Sequence, residues 1–470
     1  MPVSDYDSVV YPSRSYQQTH PVQLATIGML LGMETAPIER CRVLEIGCGD
    51  GSNVTPMAVG FPESSFLGID LAESPIERGR ELIAAAGLRN VRLEAMNLLE
   101  FPADLGEFDY IIAHGFYSWA PDIVRRKMWD VLAAHLSENG VAYVSYNAYP
   151  AGYLRNASRG LMQFHLARLG TPDGERALAG REFISTLLET ADGGSGVWKA
   201  VLKSESARLN KQPLEVLRHD DLEENYTPFL FKDVVASADG AGLQYLAESS
   251  ERRLFVPLPP LPESFGPCSL VEQEQYLDFL EFRSFRKTLF CRKPVSLARD
   301  RVVERVTKAW LASPVVREEE GAGGTARFRD PRRPGTLETD NPAIIGILDY
   351  LQDIWPSAER FLELPGAEGM EGSIAQLAGA GLIELRVHPQ VPRRVDGRIP
   401  VASPLARVQF AAGERATNLL HGMVDVQSAE GREAVCRLDG SLDKEGLERV
   451  FRGDPEVELR QMYRSGLLIY

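Results

Sequence analysis

The chain has 470 residues, 44% of them apolar and 25% charged, the balance of a folded globular protein long enough for two to four domains. That composition excludes collagen-like, wholly disordered and small disulfide-stapled classes. Lys and Arg number 51 against 66 Asp and Glu, and the net charge of −15 argues against a nucleic-acid partner, short of one local basic groove.

The five cysteines, Cys41, Cys48, Cys268, Cys291 and Cys436, form no C-x-x-C pair, and a reduced cytoplasmic compartment is expected. The first residues lack a basic segment followed by an apolar one, so no leader is expected. The apolar stretch 22–33 is too short to span a bilayer, and no membrane partner is expected. The aromatic and polar arm before that stretch, with Tyr11, Tyr16, Gln18 and His20, reads as a lid over a bound ligand or as a tail docked on the surface.

Val43, Leu44 and Ile46 form a short apolar run suited to a strand buried on both faces, and Gly47, Gly49 and Gly51 follow at once before a helix. A strand, a glycine turn and a helix start make a nucleotide-type site. The dinucleotide fingerprint would place its third glycine at position 52, where this chain has Ser52. Glu45, two residues before the first glycine, would repel a pyrophosphate but suits a cation. S-adenosylmethionine carries an ammonium and a sulfonium and no phosphate, so it fits this turn better than NAD.

A second strand over 65–71 ends at Asp70 and Leu71, where a carboxylate can accept the hydroxyls of a ribose. A third, 91–97, leads into Asn97 and Leu98, which could reach and cover an adenine. Strand four covers 108–115 and ends at His114, and strand five covers 140–147. Between them Ile123, Val124, Met128, Val131, Leu132 and Leu136 recur at helical spacing after Pro121. Downstream, a helix over 229–238 and strands at 243–248 and 285–291 complete a seven-stranded sheet. The region 151–217 reads as a helical insertion with Leu154, Ala157, Leu161, His165 and Arg168 along one stripe. A cap over the substrate and a dimer contact are both open for it.

This order of motifs resembles the class I S-adenosylmethionine-dependent methyltransferases over about residues 40–150, with Glu45, Gly47, Gly49, Gly51, Asp70, Asn97 and Phe108 in register. Most of that family has Asp where this chain has Asn97. The segments 114–121, 146–150, 219–229, 242–248 and 285–291 look like bacterial methyltransferases with an attached regulatory domain, a group that includes the rickettsial protein-lysine methyltransferases. The resemblance implies a Rossmann-like α/β fold with helical insertions, S-adenosylmethionine as cofactor, and dimerisation, middle and C-terminal parts. It implies a methyltransferase domain over 1–295, made of an arm (1–40), a sheet core (41–150 and 218–295) and an insertion (151–217). A linker (296–340) and a C-terminal α+β domain (341–470), possible as a winged-helix-like unit, follow.

Methyl transfer needs an acceptor whose lone pair is free and held in line. The candidates beyond strands four and five are Tyr117, Asn147, Tyr149 and His219 for catalysis, with Trp119 and Tyr226 as a wall for an alkylammonium. Trp119 also reads as a packing anchor and His219 as a structural hydrogen-bonder. The expected cofactor contacts are Tyr16, Gln18, His20, Glu45, Gly47, Gly49, Asp70, Leu71, Asn97, Leu98 and His114. No histidine or cysteine spacing suits a metal. The expected activity is N-methylation of protein lysines. The alternatives are a tailoring methyltransferase for a peptide or small molecule, and a cofactor-binding regulator without turnover. A homodimer is a possible assembly.

Overall fold

Apolar runs without polar alternation pair as parallel strands when helices cover both faces of the sheet. That is the frame of this chain, whose computed structural model describes residues 14–191, 196–318, 325–395 and 397–469. The strands are β1 (Arg42–Ile46), β2 (Ser65–Asp70), β3 (Val91–Ala95), β4 (Phe108–Ala113), β5 (Leu136–Asn147), β6 (Leu243–Glu248) and β7 (Phe285–Arg292), in the order β3-β2-β1-β4-β5-β7-β6. β1 to β5 run parallel, and β7 runs antiparallel between β5 and β6. The strand order reverses at β1, between β2 and β4, so the crevice beyond its carboxyl end is where such a sheet takes a ligand.

Flanking this sheet are α1 (Pro21–Leu30), α2 (Val54–Gly60), α3 (Glu73–Ala85) and α4 (Asp122–His135). The insertion holds α5 (Ala151–Leu169), α6 (Arg176–Thr190), α7 (Gly196–Asn210) and α8 (Leu214–Asp221), and α9 (Phe231–Gly240) returns the chain to β6. Two further helices, α10 (Arg252–Phe255) and α11 (Leu270–Glu281), precede β7. Tyr11 of the arm lies outside the described residues.

The insertion is helical, but the expected stripe is not its buried face. Ala157 and Arg168 are exposed, and α5 turns Ser158, Arg159, Met162 and Leu166 inward instead. The reason is Arg159, a buried guanidinium that serves as a polar anchor by donating to the backbone carbonyls of Asp220 and Glu223. Apolar periodicity alone does not register such a residue.

The stretch 296–340 is more than a linker. It carries β8 (Trp310–Ala312), β9 (Val316–Arg317), β10 (Ala326–Arg329) and β11 (Thr336–Thr339). Short downstream strands β12 (Glu359–Arg360) and β13 (Glu384–Arg386) pair on either side of β8. The amphipathic segment from Asn341 forms α12 (Pro342–Ile354), capped by the Asn341 side chain, and α13 (Glu371–Ala380) and α14 (Pro404–Ala412) follow. A hairpin of β14 (Arg415–Thr417) and β15 (Met423–Asp425) comes next.

Each face of the main sheet has its own core. Leu44, Ile111, Val144 and Phe290 lie on one, and Val43, Tyr110, Tyr143 and Leu289 on the other. The second core continues without a break into Leu311, Leu348 and Leu385, so the C-terminal region packs directly on the sheet's flank. Helix α1, apolar nearly all round, is buried at that junction. The Thr26 hydroxyl there accepts the Val387 N–H at 3.0 Å.

One charged cluster ties β7 to α11. Arg286 is fully buried, donates to Asp278, Glu248 and Glu274 at 2.8–3.1 Å, and lies 3.8 Å from the Phe231 ring centre. Removing the cation leaves three buried carboxylates facing one another. R286L should lose roughly 3–5 kcal/mol of stability, measured by chemical denaturation, whereas a loss under 1 kcal/mol would contradict this role.

Candidate active site

The turn after β1 is shaped by backbone conformation. Gly47 and Gly49 have φ of +73° and +55°, in the left-handed region that side chains disfavour. A Cβ on Gly47 would stand 2.9 Å from the Phe116 ring, while the space beside Gly49 is open. The Gly49 N–H donates to Asp70 Oδ2 at 2.9 Å, and the Ala72 N–H donates to Oδ1 at 3.0 Å. The two amides fix the Asp70 carboxylate at the end of β2.

Glu45 is buried at the end of β1. Asn53 Nδ2 donates to its Oε1 at 2.7 Å, and its Oε2 has no hydrogen-bond partner. Burial, with smaller contributions from Asp50 and Asp70, pushes its carboxyl up to about 8. A cation arriving at Oε2 would reverse that balance.

These residues open onto a cleft of about 400 Å³, in the range that holds one small molecule. Tyr16, Glu45, Gly47, Gly49, Asp70, His114, Trp119, Asn147, Arg155, Asp220 and Phe285 are among the residues that line it. The Tyr16 ring centre is 4.0 Å from that of His114, so the arm closes over the site. His114 Nδ1 lies 3.1 Å from both the Tyr143 and Ser145 hydroxyls, and burial pushes its imidazole down to about 3. It is therefore a neutral wall and hydrogen-bonding group near pH 7. Arg155 is held by Asp221 at 2.9 Å and Asp220 at 3.5 Å, and Trp119 and Tyr226 are in ring contact beside it at 5.1 Å.

Several expected site residues stand elsewhere. His20 is buried beneath the arm, where its Nδ1 accepts the Val22 N–H and starts α1. Gln18 does not line the cleft, and its carbonyl accepts from Ser249. Leu71 is exposed, Leu98 is in the core, and the Asn97 side chain accepts the Leu99 N–H as a helix cap. Of the expected catalytic residues only Asn147 lines the cleft. Tyr117 is buried, its hydroxyl accepting from Trp129 Nε1 at 3.1 Å. Tyr149 lies outside among Tyr153 and Phe279, and His219 is buried in α8. Tyr226 backs Trp119 instead of lining the cleft, and donates to the Gly152 carbonyl at 3.1 Å.

Arg14, Asn53, Arg78, Arg155, Asp220 and Phe285 line the cleft without having been expected. Asn53 looks from sequence like an ordinary helix cap, yet its side chain makes no cap bond and turns to Glu45.

The residues present fit S-adenosylmethionine. An unpartnered buried carboxylate oxygen suits an ammonium, and Asp70 suits a ribose diol.

A family model described as "Methyltransferase domain" matches residues 43–140, and one described as "Predicted methyltransferase regulatory domain" matches 213–292. Uncharacterized protein RP789 of Rickettsia prowazekii is 34% identical over 298 residues, 63% of this chain; the chain spans about half of that relative's length, 54%. Uncharacterized protein RP028 of the same organism is 33% identical over 233 residues, covering 50% of this chain and 93% of the relative. The solved structure of PKMT2 from Rickettsia typhi in complex with AdoHcy shares the fold at a TM-score of 0.84 and 23% identity, over 98% of this chain and 100% of that one.

Because its folded-state proton affinity is raised, Glu45 makes the ligand-free protein less stable as pH climbs from the ordinary carboxylate range to about 8. E45Q removes that loss. Without ligand, its melting temperature should gain on wild type steadily from pH 5 to pH 8, and a difference independent of pH would contradict the buried carboxyl.

Proposed function

Since the chain belongs to the class I S-adenosylmethionine-dependent methyltransferases that carry a methyltransferase regulatory domain, we propose that it methylates lysine amines of a protein acceptor. The observation that carries this reading is one cleft with two unlike ends. The Glu45 and Asp70 end holds the cofactor's ammonium and ribose. The Trp119, Asn147 and Asp220 end suits a slim alkylamine.

When bound, the cofactor supplies a methyl group on a positively charged sulfur, open to in-line attack by an amine lone pair. The chain's residues prepare that amine. Asp220 draws the ammonium to the mouth, and Trp119 packs against its alkyl stem. Inside, the nearby Arg155 guanidinium favours the neutral amine over the cation. The Asn147 side chain accepts an N–H and orients the lone pair. His114, neutral near pH 7, bounds the reacting space without taking the proton, which leaves by the mouth.

The surface beside the mouth supports a polypeptide. Tyr149, two residues beyond Asn147, begins an exposed aromatic run through Tyr153 and Phe279 to Tyr276 and Phe265, joined by ring contacts of 4.7–6.2 Å. Apolar surface of this extent marks an interaction site. The shared fold with PKMT2 from Rickettsia typhi in complex with AdoHcy supports the cofactor assignment.

Incubation with methyl-labelled cofactor and separate pools of lysine-rich polypeptides and small metabolites tests the reading. Label on lysines of the polypeptides is expected, and label confined to metabolites would overturn it. N147A and D220N should lower kcat/KM for the polypeptide at least tenfold with cofactor affinity unchanged. D70A should weaken cofactor binding at least tenfold by calorimetry, and unaltered affinity would refute the ribose contact.

A further inference from the structure

Asn53 is the junction of three segments far apart in sequence. Its Nδ2 donates to Glu45 Oε1 at 2.7 Å and to Thr19 Oγ1 at 3.0 Å. Its Oδ1 accepts the Tyr16 backbone N–H at 2.9 Å and faces His421 Nε2 at 2.8 Å. The Tyr16 N–H can only donate, so the atom it meets is the amide oxygen, and the amide nitrogen is then the atom facing Glu45. His421 Nε2 must carry its proton to complete the set.

His421 comes from the turn between β14 and β15, in the C-terminal region. That turn is braced: the Asn418 N–H donates to the Gly422 carbonyl at 2.9 Å, the Gly422 N–H to Asn418 Oδ1 at 2.7 Å, and Asn418 Nδ2 to the Ser465 carbonyl at 2.8 Å. His421 itself is held at φ +59°, a left-handed conformation unusual for histidine. The same turn grips the arm, since the Ser15 hydroxyl donates to the His421 carbonyl at 3.1 Å. The imidazole is buried, and burial holds it neutral, pushed down to about 3. It does not itself line the cleft and reaches it only through Asn53.

We propose that His421 is a positioning residue for cofactor binding, through which the C-terminal region fixes the Asn53 amide and thereby aims the free oxygen of Glu45 at the cofactor's ammonium. The C-terminal region is on this account part of the cofactor site, not an appendage to it. Without the His421 donor, Oδ1 keeps the Tyr16 N–H and the Thr19 hydroxyl at 3.1 Å but loses its shortest contact, so the amide is held less firmly against Glu45. The proposal rests on the S-adenosylmethionine reading of the cleft, and wild-type protein that failed to bind the cofactor would refute that reading, not this one.

The test is calorimetric titration of the full-length protein with S-adenosylhomocysteine, which keeps the ammonium. H421L should weaken binding at least tenfold while its ligand-free melting temperature stays within a few degrees of wild type. H421Q, which retains a donor at the same reach, should restore affinity to within threefold. In an N53A background H421L should cause no further loss, because the amide it acts through is gone. Should H421L not fold, H421N replaces it with the same expectation, since asparagine tolerates the left-handed backbone but falls short of Asn53. Wild-type affinity in the folded variant without the donor, or an equal loss in the N53A background, would overturn the proposal.

Discussion

A buried carboxylate with one oxygen held and the other unpartnered is costly to fold, and the site is arranged around that cost. Glu45 sits at the carboxyl end of β1, where the strand order reverses, and Asn53 occupies one of its oxygens. The glycine turn brings backbone past it without side chains, Asp70 is fixed a strand away by two amides, and the arm lays Tyr16 across the opening. Each feature is an ordinary local structure. Their common point is a buried carboxyl oxygen without a hydrogen-bond partner, which suits a cation.

The sheet would not hold these parts without its antiparallel edge. β7 joins β5 to β6, and Arg286 near its start pairs with three carboxylates drawn from β6 and α11. Phe285, one residue earlier, reaches the cleft. The insertion is anchored by the same kind of chemistry: Arg155, Arg159 and Arg208 gather the backbone and carboxylates of α7 and α8 and so place Asp220 at the mouth. On the opposite flank the C-terminal region shares the core of the sheet.

The sheet was legible in the sequence because its strands are apolar runs ended by glycine or an acid, signals that lie within a few residues. That Glu45, Gly47, Gly49 and Asp70 gather at one cleft was legible for the same reason. The lining that the insertion contributes was not. Arg155 and Asp220 belong to helices brought to β1 by the insertion, and their pairing is set by burial of guanidinium groups that periodicity reads as solvated surface. Asn97 and His20 are helix caps and Leu98 is a core residue, positions whose local spacing resembles that of a ligand contact. His421 lies 368 residues from Asn53, a separation that no local motif bridges.

The central claim is that Glu45 waits largely protonated and ionises when it meets the cofactor's ammonium. Titration of S-adenosylmethionine at pH 7 in buffers of different ionisation enthalpy counts the protons released on binding. Close to one proton should leave wild-type protein and none should leave E45Q. Binding without proton release in the wild type would contradict the account.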